Sequence, residues 1–162
     1  MKKIIIFLPS LKGGGAERVL SDIANVIAID GSLQINLVLV KKEGEYLKNI
    51  SNRVTIIDLN SKSTSRSIFK LIKFIHNNQP HVIFSALQHA NIVAIIANLI
   101  LFNKHRLVIS ERNMISGRDG NSIFIKILIR LLYPIADRII CVSNGVKSDL
   151  IDNFSIDSEK VT

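Results

Sequence analysis

Three consecutive glycines, Gly13 to Gly15, run straight into Glu17 and Arg18 near the start of this 162-residue chain. Glycine has no Cβ, so a backbone built from it can come close to a ligand. The apolar run Ile4 to Leu8 precedes the triplet, and helix-like periodicity follows it at once. That order reads as a buried strand, a glycine turn and a helix N-terminus. Free N–H groups and the positive end of the helix dipole then face the mouth of a sheet, where phosphate groups settle. The triplet therefore points to a nucleotide or a phosphorylated substrate; the alternative is a tight turn that holds no ligand. The dinucleotide fingerprint G-x-G-x-x-G is not met, because Arg18 stands where its third glycine belongs. At the end of the second apolar run Lys41 and Lys42 replace a ribose-binding acid, and no Gly-Lys-Ser/Thr follows the triplet.

Other residues able to do chemistry follow the later apolar runs: Gln88, His89 and Asn91, then Glu111, Arg112 and Asn113, then Ser143 and Asn144, with Lys41 and Lys42 at the margin. Arg112 has the geometry for a paired hydrogen bond to phosphate or carboxylate. Glu111 can accept sugar hydroxyls or orient Arg112, and His89 can donate to a phosphate or take a proton from an acceptor hydroxyl. Each has a structural alternative. Glu111 and Arg112 can pair to fix a loop, His89 can cap the following helix, and Ser143 and Asn144 are good helix N-caps.

The elements that must position these residues alternate along the chain. Strands are expected at residues 3–8, 34–40, 53–59, 81–85, 106–110 and 138–142, and helices at 16–29, 65–78, 90–102, 122–133 and 145–153. One helical turn fits around residues 46–50. The strands are rich in Ile and Val without clean alternation, as strands covered on both sides are. Asp30-Gly31 and Gln79-Pro80 supply helix stops. The expected fold is α/β: a Rossmann-like, doubly wound, mostly parallel sheet with helices on both faces. In such a sheet ligands bind beyond the C-terminal strand ends, where all the candidate residues fall. The final DSEKVT reads as leading toward a further strand, so Thr162 is taken as a boundary.

With 48% apolar residues the chain can build a core. The apolar stretch near the N-terminus ends at Pro9, too short for a signal peptide, and the run from Ile92 to Phe102 is too short to span a membrane. The single cysteine, Cys141, permits neither a disulfide framework nor a cysteine zinc site, which fits a reducing, cytoplasmic setting. A net charge of +8 suits nucleic acid, an anionic membrane or phosphorylated substrates. Few aromatics, no Trp and no Arg-rich tract argue against nucleic acid. Lys62, Arg66, Lys70 and Lys73 recur at helical spacing, and Ile123 to Leu132 is apolar on nearly every face except Lys126 and Arg130. The two readings are a solvated outer face with core packing of the second segment, or electrostatic docking on an anionic leaflet.

The stretch PSLKGGGAERVLSDIANVIA resembles the opening of retaining, nucleotide-sugar-dependent glycosyltransferases of family 4, whose first turn reads Gly-Gly-x-Glu-Arg; Gly14, Gly15, Ala16, Glu17 and Arg18 match it. SALQHAN, ISERN and CVSNGVKSDLIDNF are similar in placement to the later loops of bacterial members that add a hexose or N-acetylhexosamine to a lipid-linked or capsular glycan. Family members often carry a histidine two or three residues after the fourth strand, where this chain has Ala86 and Leu87 and reaches His89 later. The resemblance implies that residues 1–162 form the N-terminal, acceptor-side half of a two-domain GT-B enzyme, with the donor-binding domain outside this chain. It further implies a nucleotide-diphosphate sugar donor, a glycan or lipid-linked acceptor, retention of configuration and no metal or other cofactor. Gly13, Gly14, Gly15, Glu17, Arg18, Gln88, Asn91, Arg112, Asn113, Ser143 and Asn144 would then bind substrate, and His89 and Glu111 would act in catalysis. Placement on the inner face of the plasma membrane goes with a lipid-linked acceptor. A stand-alone nucleotide-binding or membrane-recruiting module is the competing function.

Overall fold

A computed structural model describes residues 1–117 and 123–162. Six strands form one sheet: β1 (Lys2–Leu8), β2 (Leu33–Leu39), β3 (Val54–Asp58), β4 (Val82–Ala86), β5 (Arg106–Glu111) and β6 (Arg138–Cys141). Every pairing is parallel, in the order β3-β2-β1-β4-β5-β6. The helices are α1 (Gly15–Ile27), α2 (Ile68–Asn78), α3 (Gln88–Ile100), α4 (Ile123–Leu132) and α5 (Asn144–Phe154). Each expected element is present with its ends shifted by a residue or two, except that residues 65–67 form a 3-10 turn before α2. The expected helix start at Ser122 lies outside the described residues. A 3-10 turn at Glu45–Asn49 takes the place of the single helical turn read around 46–50.

Side chains of β1 go alternately to two cores, as strand geometry requires. Ile6 and Leu8 join Leu20, Ala24 and Ala28 of α1 on one face. Ile5 and Phe7 belong to the cluster on the other, with Leu71 and Ile75 of α2, residues of α3, Ile129 of α4 and Leu150 of α5. The chain leaves β1 toward β2 under α1, and leaves β4 toward β5 under α3 on the opposite face. A crevice therefore opens between the C-terminal ends of β1 and β4, the place where open α/β sheets bind ligands.

The core packing that one of the two sequence readings expects for the apolar segment 123–132 holds along one side of it only. Only Ile129 of α4 is buried, while Ile123 is 78% exposed, Phe124 67% and Leu131 64%. One fully buried side chain contributes about 1.5–3 kcal/mol, so α4 is held to the body mainly by Ile129 and its half-buried neighbours Ile125, Leu128 and Leu132.

Candidate functional site

The glycine turn occupies the head of α1. Gly13 has φ +66°, in the left-handed region that glycine tolerates best. Gly14 is the extended N-cap residue, and no side chain caps the helix. Two carboxylates crowd the turn: a Cβ on Gly13 would lie 2.9 Å from Glu45 Oε1, and one on Gly14 would run into the Glu17 carboxylate. Arg18 is exposed on the same first turn.

The turn is braced from the loop after β2. Leu11 N–H donates to Glu43 O at 2.9 Å and Tyr46 N–H to Leu11 O at 3.4 Å. Gly44, at φ +123°, lies so close that a Cβ would overlap the Leu11 carbonyl. Lys12 and Lys41 both reach Glu43, at 2.8 and 2.9 Å, and these two ammonium groups, Lys12 first, hold its carboxyl below the ordinary carboxylate range. Lys41 is thus tied into the brace at the margin of the site. The sequence reading passed over Gly44 and Glu43; a glycine between two acids in an otherwise polar loop was the available signal.

At the end of β4 the backbone turns sharply through Leu87, a non-glycine residue with φ +76°. Such a conformation costs about 1–3 kcal/mol. It lets α3 begin immediately at Gln88. Gln88 is only 8% exposed and its Nε2 has no partner among the described residues. His89 is exposed beside it and does not cap the helix, whose N-cap residue is Leu87. Asn91 lies beneath the rim, fully buried. Its Oδ1 accepts from Ser85 Oγ at 2.7 Å, and its Nδ2 donates to Ser110 O at 2.9 Å and to Tyr133 Oη at 3.3 Å.

The same network reaches the loop after β5. Glu111 is 1% exposed. Its Oε2 accepts from Tyr133 Oη at 2.6 Å, and its Oε1 accepts the backbone N–H groups of Arg112 and Asn113 at 2.9 and 3.3 Å. Burial first, and then the neighbouring Glu111 charge, push the Tyr133 hydroxyl well above its ordinary value. Glu111 does not pair with the Arg112 side chain; it shapes the turn that presents Arg112, which is half-buried, and Asn113, which is exposed. Tyr133 is the member of this network that sequence reasoning missed, since a tyrosine closing an apolar helix reads as packing.

Farther along the same loop, the Ile115 and Ser116 N–H groups donate to Asp149 Oδ2 at 2.6 and 3.2 Å. Burial is the largest influence on Asp149 and raises its pKa. The hydrogen bonds from Ser116, Ile115 and Asn153 together outweigh it and leave the carboxyl below its ordinary value. After β6, Ser143 caps α5 by accepting the Val146 N–H at 3.3 Å, and Asn144 is exposed as the first residue of the helix.

These loops share one edge of the sheet. The ends of β1, β4 and β5 are successive neighbours, two inter-strand steps across, or about 10 Å. Strand order thus sets the loops carrying the glycine turn, Arg18, His89, Arg112 and Asn113 along one edge, with Ser143 and Asn144 one strand farther and Gln88, Asn91 and Glu111 buried; the cavity that His89 lines includes neither the glycine turn nor Arg112. That edge carries main-chain donors, the exposed Arg18, the half-buried Arg112 and the His89 imidazole, together with the Glu17 and Glu45 carboxylates at the glycine turn. Its cationic members can pair with a diphosphate, and the imidazole can exchange a proton with a hydroxyl.

Comparison with known proteins gives this rim a context. Residues 13–162 match the model of Glycosyltransferase Family 4. The chain is 32% identical over 174 residues to the N-acetylgalactosamine-N,N'-diacetylbacillosaminyl-diphospho-undecaprenol 4-alpha-N-acetylgalactosaminyltransferase of Campylobacter jejuni, covering 99% of this chain and 46% of that protein. HepE of Anabaena, solved with UDP and glucose, superposes with a TM-score of 0.78 at 20% identity, over 100% of this chain and 43% of that one. A glycosyltransferase from Rickettsia africae gives 0.71 at 18% identity, over 99% and 42%. The chain thus spans a little under half the length of each of these proteins.

Proposed function

The chain belongs to glycosyltransferase family 4, and on that footing we propose that it forms the N-terminal, acceptor-side half of an enzyme that moves a sugar from a nucleotide-diphosphate donor to a glycan or lipid-linked acceptor. What supports this reading is the strand order, which puts the uncapped head of α1 after β1 and the loops carrying His89 and Arg112 after β4 and β5, at the same edge of the sheet. The Gly13–Gly15 main chain, with Arg18 and Arg112, stabilises charge on the departing diphosphate as the sugar bond breaks, in place of a metal ion. His89 faces the acceptor hydroxyl. Glu111 acts from below as a positioning residue, because its carboxylate is committed to Tyr133 and the 112–113 turn. Transfer proceeds with retention of configuration, and the remaining donor contacts come from a second domain outside residues 1–162. The Campylobacter relative, whose name describes transfer to a diphospho-undecaprenol-linked sugar, supports a lipid-linked acceptor.

The test is an assay of the intact protein against UDP- and GDP-sugars with lipid-linked and free glycan acceptors, in EDTA, with product configuration read by NMR. One donor turns over, the α or β linkage of the donor is kept, and Arg112→Ala lowers kcat/KM by about 10–100-fold, the size of a lost charge-assisted contact of about 1.5–3 kcal/mol. Inversion, dependence on added metal, or full activity of Arg112→Ala would each overturn the corresponding part.

A second observation supports work at a membrane surface, on the inner face of the plasma membrane. Phe69 is 80% exposed, one helical turn from Arg66 and Lys73, and α4 leaves Ile123, Phe124 and Leu131 in solvent. The basic stripe read from sequence is narrower than its spacing suggested: Lys62 precedes the helical turn, and the Lys70 ammonium is tied to Leu59 O and Asn60 O at 2.8 Å each. No helix among the described residues is long and apolar enough to cross a membrane. Sedimentation with liposomes containing anionic lipid separates the readings. Binding falls with salt and with Phe69→Ser; binding indifferent to both would sink the docking idea.

A further inference from the structure

Beside His89 a cavity of about 480 Å³ opens between three helices. Its walls are Ile68 of α2, Ile92, Val93 and Ile96 of α3, and Phe124 and Leu128 of α4, with hydroxyl groups of residues 63–65 beside them. It falls within the range of small-ligand sites, about 300–1,000 Å³, and its lining is mainly apolar, with the hydroxyls of Ser63, Thr64 and Ser65 and the His89 ring as its polar part. Over the apolar part a sugar would give up bonds to water without replacing them. An apolar chain loses nothing and removes the side chains of three helices from solvent.

We propose that this cavity holds the polyisoprenyl segment nearest the head group of a lipid-linked acceptor. Three features of the chain select that occupant. The cavity adjoins His89, so a chain lying in it places its own head group at the rim. Phe124 both lines the cavity and stands 67% exposed, so the apolar surface runs without a break from the cavity to the outer side of α4. Arg66 and the exposed Phe69 follow the lining residues Ser65 and Ile68 in the chain, so a cationic and an apolar side chain stand on the elements that wall the cavity. The inference rests on the transferase reading given above and adds where the acceptor tail lies.

The test compares, in the intact protein, two acceptors that carry the same glycan diphosphate, one on a polyisoprenyl chain and one on a methyl group. The wild type favours the first by ten-fold or more in kcat/KM, through KM. Ile96→Trp, which puts an indole into the cavity, brings that ratio close to one. A second measurement needs neither turnover nor a variant: a geranylgeranyl diphosphate carrying a diazirine on its chain labels peptides from residues 63–68, 88–100 or 123–132 on irradiation, and inorganic diphosphate does not compete the label away. A ratio near one in the wild type, a ratio kept in Ile96→Trp, or label confined to other peptides would overturn the proposal. Absence of turnover with both acceptors would count against the transferase reading instead, and the labelled peptides would still decide the cavity.

Discussion

Tyr133→Phe tests the buried network beneath the rim. The substitution keeps the ring and removes one oxygen, leaving Glu111 Oε2 buried without its 2.6 Å donor. A hydrogen bond to a charged group is worth about 1.5–3 kcal/mol. In a domain of this size each kcal/mol moves Tm by about 2–4 °C, so Tm should fall by roughly 3–12 °C. The loss should also depend on pH in a defined direction. Tyr133 ionises well above its ordinary value of 10.0 in the folded state, because burial and the Glu111 charge oppose a phenolate. A group with a raised folded pKa stabilises fully below its unfolded pKa and loses that contribution as pH rises. Wild-type stability should therefore fall above pH 10 by up to about 1.4 kcal/mol per unit more than that of Tyr133→Phe. Urea unfolding of both proteins from pH 8 to 11 measures this, and the gap between them should narrow only at the top of the range. In a Glu111→Gln background the cost of Tyr133→Phe should shrink by about 1 kcal/mol or more, since losing that donor penalises a neutral amide less than a carboxylate. A gap that stays constant from pH 8 to 11, or a cost equal in both backgrounds, would refute the assignment of Glu111 as a buried charge held by Tyr133.

Gly44→Ala should destabilise by at least the roughly 1–3 kcal/mol of a forced positive φ, since its Cβ meets the Leu11 carbonyl; Gly14→Ala should cost less, because only the flexible end of Glu17 must move. Thermal unfolding of the two variants settles the order, and the opposite order would remove the brace from the account. Cys141, whose thiol is pushed up to about 11 by burial and then by the Glu111 charge, should react with Ellman's reagent at pH 8 about a hundredfold more slowly than in urea. Glu111→Gln should speed that reaction in the folded protein; an unchanged rate would separate the two groups. Asp149, held below its ordinary value of 3.8, stabilises above that pH and loses its contribution as pH falls through the lower folded value. Asp149→Ala should cost about 1.5–3 kcal/mol near neutrality, speed hydrogen exchange at Ile115 and Ser116, and flatten the acid limb of the stability curve.

The fold was legible because its signals are local and repeated. Ile- and Val-rich runs separated by helical periods leave few arrangements besides a parallel sheet, and the right-handed crossover rule then sorts the helices between its faces. Where the reading slipped, the cause was an interaction between distant segments. The run from Ile123 to Leu132 has the composition of a core helix, but only one side of it, Ile125, Leu128, Ile129 and Leu132, packs on the core, and Ile123, Phe124, Ile127 and Leu131 remain exposed. The basic stripe lost Lys70 for a similar reason: the carbonyls of Leu59 and Asn60 lie eleven and ten residues away in sequence and meet its ammonium only after folding.

The candidate site divides along the same line. Glycines and strand-end loops announce a rim because the chemistry that makes them useful also fixes their place at the mouth of a sheet. Depth below that rim is another matter. Gln88, Asn91 and Glu111 follow their strands as closely as His89 and Arg112 do, and only the side-chain direction distinguishes them. Asn91 sits three residues into α3, one turn beyond Gln88, so it points down onto β4 and β5, where Ser85, Ser110 and Tyr133 satisfy it. Glu111 is still within β5, where alternate side chains leave on opposite faces, and it leaves toward the α4 side to meet Tyr133. Spacing alone could have placed both below the rim. A partner that makes such burial tolerable could not be read that way: a buried carboxylate needs donors, and one of them, Tyr133, lies 22 residues downstream, past a whole helix. The rim is therefore written in short stretches of sequence, while the rigidity that would make it useful for catalysis is written between them.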